Sequence, residues 1–397
     1  MKIAITCPAS LPATPFGGIL MVSVNLAKNF HNLGHDTTIY TTDLNFDNEK
    51  MIFDKNLSRI DNSNGFKIKR SHVILKIYNF FISLGTYNQI KQDNPELIHV
   101  IGLRSFQAFM AAIVAKYQKI PMILSDYGGI TTHPDIKRGN ILKKKLYKIQ
   151  NPMIKFIMKQ ADLIIAANEF ELSDFSNIKK INNFKIIKNG IDKEVLKTPK
   201  FNFKEKFSIE EKILLFVGRF DHVKGIDVLL DAFSGVCSNK KFSNVKLILM
   251  GSDFGFKEKM LEQIKFLNLE KYVKIIENPL REEVISAYHS CEFLVLPSRW
   301  ELSPLTPLEG FACKKTSISC DVAGIPYVIK NRENGILVES ENSNELKNAI
   351  IELLINDELR DKLAENGFNE IQEKLNSHFM VEQFLITYNE ILEKYKN

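Results

Sequence analysis

Along the whole chain, short apolar runs alternate with segments of helical spacing, in two successive series. In the first series the strand-like runs fall at 2–6, 37–41, 97–101, 121–125, 162–167 and 185–188. Helical spacing marks 18–33, 104–118, 140–160 and 168–177, and Gly34 supplies a stop after the first of these. In the second series the strands are expected at 213–217, 245–250, 273–276, 293–296, 316–319 and 336–338. Their helices are expected at 223–235, 256–267, 281–290, 305–313, 344–355 and 357–375. Regular alternation of this kind predicts βαβ units and mainly parallel sheets, an α/β class. The span 45–95 is less regular and reads as a long loop or short strands.

At 397 residues the chain exceeds one ordinary core, so each series is expected to build its own domain. The division is placed at 1–195 and 196–376, joined near 189–210, where Pro199 and Lys193, Lys197, Lys200 and Lys204 suit an exposed linker. A last helix is expected near 377–395 within a C-terminal segment 377–397.

Two constellations follow strand-like runs in the second half. After Phe293-Leu294-Val295-Leu296 comes Pro297-Ser298-Arg299-Trp300-Glu301, with a second glutamate at Glu309. Carboxylates placed where a strand ends and a helix begins face the ligand crevice of an open α/β sheet. Each accepts up to four hydrogen bonds, which suits a ligand rich in hydroxyls. After Ile213-Leu214-Leu215-Phe216-Val217 comes Gly218-Arg219, then Lys224-Gly225 and a helical stretch. A planar guanidinium and an ammonium near a helix N-terminus suit a diphosphate, with no metal needed. The chain contains no Asp-x-Asp and no Cys-x2-Cys. His31 and His35 are separated by Gly34, which ends their helix, so they are not read as a metal pair. No cofactor is implied.

These residues resemble the retaining glycosyltransferases of family 4. Glu301 and Glu309 match that family's Glu-x7-Glu, and Gly218-Arg219 with Lys224-Gly225 match its Gly-Arg-x4-Lys-Gly. Two further marks are Ile3-Ala4-Ile5-Thr6 followed by the turn Gly17-Gly18, and Asn189-Gly190-Ile191-Asp192 at the junction. The resemblance implies the GT-B fold: two Rossmann-like α/β domains facing a cleft, with a C-terminal helix crossing back to the first. It implies transfer of a sugar from a nucleoside-diphosphate sugar to a glycan or lipid-linked acceptor, by attack on the face the diphosphate leaves. Arg219 and Lys224 would stabilise the diphosphate, Glu309 would bind the ribose and Glu301 would steady the sugar. Backbone groups of Leu305 and Thr306 would lie near the diphosphate. Gly17 and Gly18 would let the first domain's backbone approach the phosphates, after closure of the cleft; a plain tight turn is the alternative. Three positions depart from the pattern. The family histidine after 121–125 is replaced by Tyr127, with His133 or Asp126 as possible substitutes. Leu302-Ser303-Pro304 replaces a Gly-Phe-Gly, and Pro304 brings no N–H. Lys314-Lys315-Thr316 follows Ala312-Cys313 where the family has a glycine.

Charge narrows the acceptor. Residues 1–195 hold 26 Lys and Arg against 16 Asp and Glu, a net +10, while 196–397 hold 27 against 31, a net −4. Within 136–159 stand Lys137, Arg138, Lys143, Lys144, Lys145, Lys148, Lys155 and Lys159 and no acid. Interleaved with apolar residues, they fit either an anionic membrane surface or a core-packing helix with a lysine-rich outer face. No aromatic-basic RNA motif occurs, which argues against nucleic acid. Five scattered cysteines fit a reducing cytoplasm. No run of 18 apolar residues offers a membrane span. A cytoplasmic enzyme of cell-surface polysaccharide or glycoconjugate synthesis, peripheral at the inner membrane face, fits these features. Two rivals share the features: a nucleotide-sugar 2-epimerase and a non-catalytic sugar-binding partner subunit. Donor hydrolysis without acceptor separates the three.

Overall fold

The computed structural model describes residues 1–47, 50–78, 80–134, 136 and 141–396, and the side chains of all of these except 141–143. Lys137 and Arg138 lie outside the described residues, as does the side chain of Lys143. The chain divides into two compact units, Met1–Asn189 with Ser377–Asn397, and Gly190–Asn376.

The first unit runs β1 (Lys2–Thr6), α1 (Gly18–Asn32), β2 (Asp36–Thr42), β3 (Leu44–Asp47), β4 (Lys50–Phe53), β5 (Ile60–Asp61), β6 (Lys67–Ser71), β7 (Leu75–Ile77), β8 (Phe80–Ile82), α2 (Gly85–Asp93), β9 (Leu97–Ile101), α3 (Phe106–Gln118), β10 (Met122–Ser125), α4 (Ile141–Gln160), β11 (Leu163–Ala166), α5 (Glu169–Ser176) and β12 (Phe184–Ile186). Its sheet has the order β12-β11-β10-β9-β1-β2-β6-β5. Pairings are parallel except β5 with β6. The order reverses between β1 and β9. The span 45–95 carries two separate antiparallel hairpins, β3–β4 and β7–β8, and the helix α2. That helix escapes sequence reading because only Thr86 and Ile90 of its nine residues are buried, too few to set a period.

The second unit runs α6 (Lys193–Leu196), α7 (Phe203–Phe207), β13 (Lys212–Val217), α8 (Ile226–Cys237), β14 (Val245–Gly251), α9 (Lys257–Phe266), β15 (Val273–Glu277), α10 (Arg281–Ser290), β16 (Phe293–Leu296), α11 (Leu305–Ala312), β17 (Ser317–Cys320), β18 (Ile336–Val338), α12 (Ser343–Ile355) and α13 (Asp357–Glu373). Its sheet is wholly parallel, in the order β15-β14-β13-β16-β17-β18. Successive residues of β13 serve opposite cores. Leu214 and Phe216 pack with Leu229, Phe233 and Ile350, while Ile213 and Leu215 pack with Tyr288, Leu308 and Phe311. A strand buried on both faces must be apolar throughout, which is why it reads as an unbroken run. The last helix, α14 (Ser377–Lys396), belongs to the first unit. There the Tyr388 hydroxyl meets His99 Nδ1 at 2.7 Å and Asn25 donates to Ser377 at 3.1 Å.

The helix expected from 223 starts instead at Ile226. Residues His222–Lys224 form a 3-10 turn closed by Gly225 at φ +67°. A Cβ on Gly225 would lie 2.0 Å from the Pro297 carbonyl oxygen, so only glycine lets these two loops touch.

Candidate active site

In the second unit, the order reversal sets the loops after β13 and β16 side by side. At such a reversal the two loops diverge and leave a crevice beyond the strand ends. The β13 loop carries Arg219 and Lys224, and the β16 loop carries Glu301. Lys224 Nζ bonds Glu301 Oε1, and Ser298 donates to the same oxygen at 3.1 Å. Both charged side chains keep about a fifth of their surface exposed, 18% and 19%. Among the described residues Arg219 forms no ion pair. Its guanidinium instead lies over the Phe254 ring, 4.9 Å from the centroid. The loop of Phe254 is fastened to that of Arg219, with Phe220 N–H donating to Ser252 O at 2.8 Å and Phe254 N–H to Phe220 O at 2.9 Å.

Arg299 ties the two loops together. Its backbone N–H donates to Val223 O at 2.8 Å, and its Nη1 donates to His222 O at 2.6 Å. The guanidinium also meets both oxygens of Asp227 at 2.8 Å and Glu341 Oε2 at 2.8 Å. Burial acts to lower its pKa, but the two carboxylates outweigh that and hold it above the ordinary arginine value.

Glu309 sits in α11. One oxygen accepts from Arg281 Nη2 at 2.6 Å and the other from the buried Tyr288 hydroxyl at 2.6 Å. Burial raises the Tyr288 pKa, and the Glu309 charge raises it further, so the phenol stays a donor. Two bonds leave about half of the carboxylate's accepting capacity open. Leu305 and Thr306 open α11 behind Pro304, with no side-chain cap; the first N–H groups of a helix have no partner inside it. The structure thus joins Lys224 to Glu301, and gives Arg219 and Glu309 partners of their own.

The first unit holds the remaining candidates. Gly17 precedes α1 at φ +108° and ψ −158°, a conformation for glycine alone, and Gly18 is the first helical residue. Tyr127 has φ +58°. Its phenol oxygen is buried beside Ser125, whose hydroxyl is bonded to His99 at 2.9 Å, and it makes no well-formed hydrogen bond of its own. Asp126 is buried and committed to backbone, accepting from Leu103 N–H at 2.9 Å and Gly128 N–H at 3.1 Å. His133 is half-buried. On α4 Lys144, Lys145, Lys148, Lys155 and Lys159 face outward with Ile149, while Ile154, Ile157 and Met158 are buried.

Comparison with known proteins agrees with this geometry. The profile of the Glycosyl transferases group 1 family matches residues 197–370, and that of Glycosyltransferase Family 4 matches 16–195. A glycosyltransferase of Methanocaldococcus jannaschii, MJ1178, is 30% identical over 285 residues, 70% of this chain and 71% of its own. The chain belongs to glycosyltransferase family 4. The N-acetyl-alpha-D-glucosaminyl L-malate synthase of Bacillus anthracis is 25% identical across 100% of this chain and 99% of its own. Anabaena HepE, solved with UDP-glucose, superposes with a TM-score of 0.77 over 98% of this chain and 100% of that one, at 17% identity. The fold is GT-B.

Several residues of this glycosyltransferase's candidate site escape sequence reading. Arg281, Tyr288 and Phe254 act on partners 28, 21 and 35 positions away, and no spacing rule links such pairs. Arg299 stands inside the Pro-Ser-Arg-Trp-Glu run, but its partners Asp227 and Glu341 lie 72 and 42 positions off.

Proposed function

We propose that the enzyme is retaining and metal-independent. It moves a sugar from a nucleoside-diphosphate sugar to an anionic glycan or lipid-linked acceptor, in cell-surface polysaccharide or glycoconjugate synthesis. The observation that carries this reading is the meeting of Lys224 and Glu301 where the loops after two adjacent parallel strands part. When the bond from the anomeric carbon to the diphosphate breaks, negative charge grows on the leaving oxygen and positive charge on the ring. Lys224 and the unpaired Arg219 meet the first; preorganised donors of this kind are worth roughly 3–4 kcal/mol each. Glu301, facing the sugar, steadies the second. Glu309 accepts from the ribose with its open lone pairs. Leu305 and Thr306 offer N–H groups to the diphosphate. With two cations at the leaving group, no divalent ion is required there. HepE, of the same fold, was solved with UDP-glucose, which supports a nucleotide-sugar donor here.

No helix of the described residues is long and apolar enough to cross a membrane. The outward lysines of α4 suit attachment to an anionic leaflet, at about 1 kcal/mol per basic residue. Binding to anionic vesicles at low salt, lost in Lys144→Glu/Lys145→Glu, is the expected result. Indifference of the purified protein to such vesicles removes the membrane from the reading.

Thermal shift with a panel of nucleoside diphosphates tests the donor. One of UDP, GDP or ADP should raise the Tm, and the matching sugar should be slowly hydrolysed without acceptor. An isomerised nucleotide sugar would point to an epimerase, and no turnover with any acceptor to a non-catalytic subunit.

A further inference from the structure

The first unit buries three carboxylates around one loop. Asp126, Glu171 and Asp174 are exposed by 3%, 1% and 1%. Glu171 and Asp174 stand one turn apart on α5, so they share a face. Glu171 Oε1 accepts from Tyr127 N–H at 2.8 Å, and its Oε2 accepts from Ala167 N–H at 2.6 Å. Asp174 Oδ1 accepts from Thr131 N–H at 2.8 Å and from the Thr131 hydroxyl, and Oδ2 accepts from the Thr132 hydroxyl at 3.1 Å. Asp126 closes the loop on itself through Gly128 N–H. Every one of these bonds ends on residues 126–132 or on the strand ends beside them.

The loop they hold contains a tyrosine in the left-handed region, which a bulky residue adopts only when its surroundings impose it. The carboxylates impose it here. A buried carboxylate costs far more than a turn needs, since ordinary turns are closed by backbone or by Asn and Ser. A strained loop over-determined by three buried acids, beyond the C-terminal end of β10, has the form of a ligand-facing segment in a parallel α/β unit.

We propose that Glu171 and Asp174 are positioning residues that fix the 126–132 loop in the shape needed for sugar transfer, with ionised Glu171 as the grip. The proposal rests on the donor reading above. An ionised carboxylate accepts on both oxygens, which two facing N–H groups require. A protonated one turns one oxygen into a donor and weakens one of the two bonds. Burial, the largest cause, pushes the Glu171 pKa up to about 8, and the neighbouring Asp126 charge adds to it; the backbone of Ala167, Tyr127 and Asp126 acts the other way. Around Glu171 also lie the Tyr127 phenol, Asp174 on its own helix, and Arg104, whose guanidinium faces both Asp126 and Asp174. The Tyr127 phenol is held neutral by burial, so it does not titrate in this range.

The test uses the full chain and whichever UDP-, GDP- or ADP-sugar gives the largest thermal shift. Release of the nucleoside diphosphate is followed from pH 6 to 9, and the affinity for the free nucleoside diphosphate is measured beside it. For the wild type, kcat should rise several-fold with a midpoint near pH 8. In Glu171→Gln the amide must point a donor at one of the two N–H groups. Its kcat should fall about tenfold and lose the pH rise, while nucleotide affinity stays within twofold. Asp174→Asn keeps the acceptor for Thr131 and should lower kcat by two- to fivefold with the pH rise intact. Retained nucleotide affinity shows that the second unit is folded in each variant. A Glu171→Gln enzyme with the wild-type rate and slope overturns the proposal, and so does a loss of kcat matched by an equal loss of nucleotide affinity. A wild type that neither binds nor turns over any nucleotide overturns the donor reading and this proposal with it.

Discussion

The two units share a parallel α/β plan but use their charged side chains in opposite ways. In the second, ions bond to ions at the crevice: Lys224 to Glu301, and Arg281 to Glu309. These side chains keep between 16% and 45% of their surface exposed, so a ligand group can replace either partner without leaving a charge sealed from water. In the first, the acids around residues 126–132 are buried and bond to backbone. They cannot be lent to a ligand without breaking the loop. On the proposed reading one unit holds charge for a ligand, while the other commits it to shape.

Lys224→Ala is the largest break in that comparison. If the second unit's charges are held for the diphosphate, turnover should fall roughly 10²–10³-fold, the loss typical of one preorganised donor. The Tm should fall by only a few degrees, because Glu301 loses its cation but keeps some water access and the Ser298 hydroxyl. Steady-state kinetics and a thermal melt on the same sample check both halves. A variant that melts far lower while turning over normally would make Lys224 a structural residue, like the acids of the first unit.

Arg299→Gln sharpens the line between the two behaviours inside one unit. Its guanidinium is only 7% exposed and serves Asp227, Glu341 and the His222 carbonyl. The carboxylates are 30% and 52% exposed, so water relieves part of their loss. Breaking a buried pair costs about 3–5 kcal/mol; with solvated partners, roughly 2 kcal/mol is expected. For a unit of this size that is a Tm drop of about 4–8 °C. Turnover should fall less than in Lys224→Ala at temperatures where the variant is folded. A larger kinetic than thermal effect would place Arg299 with the charges held for the ligand.

Most of the second unit is legible because its strands are apolar on both faces and its candidate site residues lie in two short loops and the helix after the second. Arg219, Lys224 and Glu301 stand 2, 7 and 5 residues past a strand end, and Glu309 stands in the helix that follows β16, where spacing is informative. Less of the first unit was legible. Glu171 looks like a first-turn acid and Asp174 like a surface acid of an ordinary helix, and only the fold shows that they point inward at residues 44 and 43 positions away. The hairpins between Leu44 and Ile82 alternate too briefly to be told from loop. Gly225 belongs to the Gly-Arg-x4-Lys-Gly pattern. The structure adds a second reason for it, the approach of the Pro297 carbonyl.

The smallest effect should come from Phe254→Leu, which touches neither a charge pair nor backbone. The Phe254 side chain meets Arg219 through its ring, 4.9 Å from the guanidinium, and leucine leaves the Phe254 backbone bond to Phe220 in place. Such a contact is worth about 0.5–1 kcal/mol where solvent reaches it. Leucine keeps an apolar surface under the arginine but removes the ring's negative face. The loss should appear as a two- to fivefold weaker affinity for the nucleoside diphosphate, with kcat nearly intact, since Arg219 would still reach the phosphates but from a less fixed position. Isothermal titration with the diphosphate chosen by thermal shift resolves a change of that size. If affinity is unchanged while kcat falls, the ring fixes Arg219 only in the transition state. The second unit would then also hold part of its charge rigid for shape, and the contrast with the first unit would be one of degree.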